Sequence, residues 1–143
     1  MSILTFIAED TLTTVLLAPQ ATGTGAVACV NPAAGSSALN VRAIATMGNA
    51  ADLVLSLVSA DDAAGANPVA FASVVPLYVD GVKQTRAIAH TIGDATGEFV
   101  VDFCVDPALI PDGKFVGISY ANSNAGNLLT TIAIEAATEH PVA

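Results

Sequence analysis

The sequence predicts an all-β protein, a β-sandwich or jelly roll of about eight to ten short antiparallel strands. Three observations lead there. Apolar and polar residues alternate with period two over short stretches rich in β-branched side chains. Clusters of Gly, Pro, Asn and Asp separate those stretches at regular intervals. No helical periodicity of convincing length competes, and the apolar runs fall far short of the ~20 residues of a membrane helix. A chain of 143 residues is the usual size of one domain, so residues 1–143 are expected to form a single sandwich.

Taken in order, the opening MSILTFIAEDT lacks the basic start and long apolar stretch of a secretory signal, which predicts a soluble protein made in a cytoplasm. Residues 11–18 and 26–30 have strand-like content, but 21–25 and 31–37 are small and flexible. Residues 1–38 therefore fit either an extended N-terminal arm that orders on a partner or a strand pair inside the sandwich. In 39–47, Leu39, Val41, Ala43, Ala45 and Met47 share one face; Asn40, Arg42 and Thr46 share the other, which Ile44 interrupts. In 52–59, Leu53, Leu55 and Leu57 alternate with Val54, Ser56 and Val58, so both faces are apolar and the strand should be central or covered.

Residues 59–68 are turn formers with few bulky side chains, an exposed connection in which Asp61, Asp62 and Asn67 are candidate partner contacts. Residues 74–79 form a strand whose Pro76 belongs at an edge or bulge. Asp80-Gly81 then signals a hairpin returning through 82–85. Residues 86–92 and 98–105 flank a glycine-bounded connector, with Phe99, Val101, Phe103 and Val105 on one core face. Pro107 and Pro111 bracket a tight or 3₁₀ turn. Strands 114–120 and 128–137 close the chain around a polar loop, in which Asn122, Asn124 and Asn127 are further partner-contact candidates. The Pro76 strand and the 128–137 strand are the candidate free edges for pairing with another chain.

Charge narrows the function. Thirteen acidic residues against Arg42, Lys83, Arg86 and Lys114 give a net charge of −9, which argues against nucleic acid and anionic membrane as direct partners. Cys29 and Cys104 are far apart and lack metal-ligand spacing, so buried free thiols are expected rather than a disulfide. Gly23-Thr24-Gly25 lacks the downstream Gly-Lys of a phosphate-binding loop. Asp61, Asp62 and Asn67, or Asp106 and Asp112, could offer oxygens to calcium, but without EF-hand spacing they fit turn capping better. Asp102 and Asp106 are the nearest approach to a carboxylate pair, and His90 and His140 the only imidazoles. No catalytic residue, cofactor or metal is expected.

The stretches ADLVLSLVSADDAAGANPVAF, VPLYVDGVKQT and DFCVDPALIPDGKFVGISYANSNAGNLLTT resemble the bacteriophage capsid decoration, or cement, proteins of the small jelly-roll type. The resemblance covers about the last two thirds of the chain and lies in style rather than in an invariant motif. It implies a non-enzymatic structural protein on the outer capsid surface of a virion. Such a protein bridges subunits of the major capsid protein as a dimer or trimer, after synthesis in the bacterial cytoplasm. A carbohydrate- or receptor-binding virion domain is the alternative, using Tyr120, Asn122, Asn124 and Asn127. A virion hydrolase built on Asp102 and His90 is a third.

Overall fold

A computed structural model describes residues 11–22, 27–32, 36–48, 52–93, 96–121 and 126–137. Among them the strands are β1 (Thr11–Ala21), β2 (Cys29–Val30), β3 (Ser36–Met47), β4 (Leu53–Ala60), β5 (Val69–Ala70), β6 (Leu77–Val79), β7 (Val82–Lys83), β8 (Ala89–Ile92), β9 (Gly97–Val105), β10 (Phe115–Ala121) and β11 (Leu128–Ala137). They form two antiparallel sheets. The larger has the order β1-β11-β3-β9-β6-β7, and the smaller has β2-β10-β4-β5 with β8 also pairing β4.

Without β5, β6 and β7, eight strands remain, in the orders β1-β11-β3-β9 and β2-β10-β4-β8. The first strand pairs with the last, and the chain changes sheet at every connection except that from β4 to β8. This is the jelly-roll arrangement of the β-sandwich. The β5–β7 segment is an insertion between β4 and β8, and it widens the larger sheet by the β6–β7 hairpin.

Alternation decides what lies between the sheets. Leu39, Val41, Ala43, Ala45 and Met47 of β3 are buried, as are Leu53, Leu55 and Leu57 of β4 and Val101, Phe103 and Val105 of β9. Phe99, expected with them, is half-buried against the same core. Ile118 and Tyr120 of β10 and Leu129 and Ala133 of β11 complete the filling.

Local chemistry sets the turns. Asp80 (φ 50°) and Gly81 (φ 79°) both occupy the left-handed region, as a two-residue type I′ hairpin requires. Asp80 is also clamped to β9: its N–H donates to the Val100 carbonyl at 2.7 Å, and its Oδ1 accepts from the Val100 N–H at 2.8 Å. The 3₁₀ turn lies at Pro107–Leu109, capped by Asp106, whose Oδ1 accepts from the Ala108 N–H at 3.0 Å.

Two expectations about edges and termini change. The 128–137 strand is not an edge, because β11 lies between β1 and β3. Pro76 precedes β6, which is also flanked on both sides; its carbonyl accepts from the Cys104 N–H at 3.0 Å, a bond that needs no donor from proline. Of the two readings of residues 1–38, the described part follows the one that puts strands inside the sandwich rather than an extended arm: β1 and β2 are both sandwich strands, one in each sheet and not paired with each other. Residues 1–10 lie outside the described residues.

Candidate partner-contact surfaces

The 61–67 loop spends its polar groups on itself. Asp62 Oδ1 accepts from the N–H groups of Ala64 and Ala66, both at 3.0 Å, and the Asp61 N–H donates to the Ala66 carbonyl at 2.9 Å. Asp61 Oδ2 accepts from Asn67 Nδ2 at 2.8 Å, while its other oxygen takes the Lys114 ammonium. The Lys114 contact, helped by Asn67, holds the Asp61 carboxyl below its ordinary range. Asp61, Asp62 and Asn67 are thus exposed together on one loop, with turn capping as their visible work.

That loop also covers the outer face of the smaller sheet. The Ala63 carbonyl accepts from the Cys29 N–H at 2.9 Å. A Cβ on Gly65 would come within 2.7 Å of Val27 Cβ, so the loop and the 27–29 segment touch. Beneath them lies Gly117 of β10, paired with Cys29 on one side and Val58 on the other. A Cβ there would stand 2.4 Å from the Ala28 carbonyl oxygen and 2.7 Å from Cys29 Sγ. Only glycine lets the segment lie this close. Burial, with the Asp62 charge adding to it, pushes the Cys29 thiol up to about 11.

The larger sheet has no such cover among the described residues. One register row crosses it completely: Val15, Ile132, Arg42, Asp102, Tyr78 and Lys83 stand opposite one another through β1, β11, β3, β9, β6 and β7. All face away from the core. Val15 is 61% exposed at one end of the row. In the middle, Arg42 Nε and Nη2 donate to the two Asp102 oxygens at 2.6 and 3.3 Å, and Asn40 Nδ2 adds a bond of 3.1 Å. This bidentate pairing raises the Arg42 pKa further. Neighbouring outward positions on β3, β11 and β9 are Ile44, Ile134 and Val100, all half-buried. The middle of the face sets these apolar side chains around an internally neutralised ion pair, so it can dock against a flat surface.

Of the remaining candidates, Asn122 and Asn124 lie outside the described residues. Asn127, expected in an exposed loop, is fully buried, and its carbonyl accepts from the Thr22 N–H at 3.0 Å. Tyr120 is buried as well, on the face paired with Leu55, where its hydroxyl accepts from Gln20 Nε2 at 2.7 Å. Both are therefore withdrawn from a glycan platform at this end. His90 lies on β8 opposite Leu55 in the smaller sheet, and burial lowers its pKa. Asp102 is in the other sheet and Asp106 caps the 3₁₀ turn, so the residues of the hydrolase reading do not converge. Cys29 and Cys104 are free thiols in different sheets. A cleft of about 430 Å³ between Asn31, Pro32, Ser36 and the Pro107–Gly113 turn has Asp112 as its one charged lining residue among the described residues.

The sequence pattern pointed to loops and missed the faces and the β1 edge. A signal was present, since Thr11–Ala21 contains no charged residue.

No protein-family model matches the chain, and no curated protein matches it. Among solved structures it is similar to the SPBc2 prophage-derived protein YomS, at 14% identity and a TM-score of 0.45 over 90% of this chain and 94% of that one. A likeness of that size says nothing about activity.

Proposed function

We propose that this chain is a non-enzymatic structural protein of a virion that lies on the outer surface of the capsid and stabilises it by bridging subunits of the major capsid protein. The observation that carries the proposal is the outer face of the six-stranded sheet, where Ile44, Val100, Ile132, Ile134 and the exposed Val15 surround the neutralised Arg42–Asp102 pair on a chain of net charge −9. Monomeric proteins rarely leave such a face without a partner. The remaining support is the resemblance of residues 52–137 to capsid decoration proteins. Many copies, each burying a modest interface on a repeating lattice, hold a shell through summed contacts rather than through one strong site.

The test is co-sedimentation of the purified protein with shells of major capsid protein, before and after expansion. Saturable binding at a fixed ratio to capsid subunits, weakened by Ile44→Lys, is the expected result. Absence of binding to either form overturns the proposal. Retention on a glycan array with no shell binding favours the receptor-binding alternative.

A further inference from the structure

We propose that two copies of this chain join edge to edge through residues 11–15 of β1, antiparallel across a two-fold axis, so that two six-stranded sheets become one continuous sheet. The free edges of the described sheets are unequal. β7 and β2 are two residues long, β5 also two and β8 four. β7 carries Lys83, a charge of the kind that blunts an edge. β1 has eleven residues and none charged.

Within β1 the two halves also differ. Its pairing with β11 is regular from Thr11 to Val15, then shifts between Val15 and Leu17 and again between Leu17 and Gln20. Pro19 lies in the second shifted stretch. Bulges and proline both spoil an edge for a further strand. The usable template is therefore 11–15, a regular run whose alternate backbone donors and acceptors face away from β11 and have no strand partner among the described residues.

Side chains point to the same occupant. Leu12 has inward register, opposite the buried Glu135, yet it is 53% exposed. The interior layer stops short of it, and a strand added at β1 extends that layer over it. Two whole copies of net charge −9 repel at long range, a repulsion that salt screens, so the seam itself must add no like-charge pair. A second copy of β1 meets that condition, because two-fold pairing sets like against like and β1 has no charge to oppose. Centring on Thr13 sets Thr13 against itself, a favourable cross-strand pair, and Leu12 of one copy against Thr14 of the other. The pairing concerns the free protein and stands or falls independently of shell binding.

The experiment is sedimentation equilibrium of the full chain at micromolar concentration, which should give a dimer. Along an antiparallel strand successive N–H groups point to opposite sides, so one of Leu12→Pro and Thr13→Pro removes only an outward donor. That variant should weaken the dimer by at least about tenfold, counted as 1.4 kcal/mol, with unchanged circular dichroism. Lys83→Pro, which removes the outward donor of the β7 edge, should leave the dimer intact. Should both β1 proline variants unfold, Thr13→Cys in a Cys29→Ala, Cys104→Ala background decides: oxidation yields a covalent dimer if Thr13 faces itself across the axis. A monomer at every concentration, a dimer untouched by both proline changes, or failure of Thr13→Cys to cross-link overturns the proposal.

Discussion

The outer faces of the two sheets solve the same problem in opposite ways. The smaller sheet is roofed by its own chain: the 27–29 segment and the 61–67 loop meet over Gly117, and the outward Val58 beneath them is only 7% exposed. The larger sheet uses an ion pair in place of a roof. Arg42 and Asp102 neutralise each other between Ile132, Ile44 and Val100, leaving Asp102 8% exposed and Val15 open at the margin. The roof covers the Gly117 end of its face and leaves Val54 at the other end 37% exposed. The unroofed one is stable enough for a free protein and still has area to lose to a partner.

Each side of the comparison can be broken. The largest effect is expected from Gly117→Ala, which sets a methyl against the Ala28 carbonyl and lifts the roof. A cost of about 3 kcal/mol is expected, read as a fall in the denaturant midpoint. Arg42→Ala should cost about 2 kcal/mol, because it strands a buried carboxylate on the open face. The double variant with Asp102→Ala should recover part of that loss, which a double-mutant cycle measures.

The two thiols sharpen the contrast with a smaller effect. Cys29 lies under the roof and Cys104, opposite Asn40, faces outward on the larger sheet. Burial raises both pKa values, with help from Asp62 for Cys29 and from Asp102 for Cys104. Iodoacetamide at mildly alkaline pH should therefore label Cys104 several-fold faster than Cys29, as peptide mass mapping over time would show. The folded Cys29 resists ionisation, so its contribution to stability is complete below the unfolded value of 9.0 and is lost as pH rises towards about 11. Cys29→Ala should flatten the stability curve over that window, and equal slopes would mean that the roof is open in solution.

Much of the fold could be read in the chain, for reasons that differ by element. Period-two alternation placed the strands that became β3, β4, β9, β10 and β11, and Asp80-Gly81 announced its hairpin through the two left-handed residues it requires. Sheet order was not legible, because alternation tells a strand which face is inside and nothing about its neighbours. That is why residues 128–137 looked like an edge and became β11, an interior strand. Tyr120 and Asn127 misled for a related reason. Each carries a polar group suited to a surface, but Gln20 and Thr22 arrive from the far end of the sequence to satisfy the Tyr120 hydroxyl and the Asn127 carbonyl. β5 was missed because two residues make no pattern.

The pairing of the first strand with the last has a consequence for how the protein is made. On a ribosome β1 emerges before every other described strand, and its only strand partner in the described fold, β11, emerges after all of them. Until then both of its edges are open, and its uncharged backbone can pair with other nascent chains. Late closure of so long a loop is slow, and an unsatisfied strand during that wait is a hazard for misassembly. Yield from expression should therefore depend on temperature and chaperone supply more steeply than the stability of the finished sandwich would suggest.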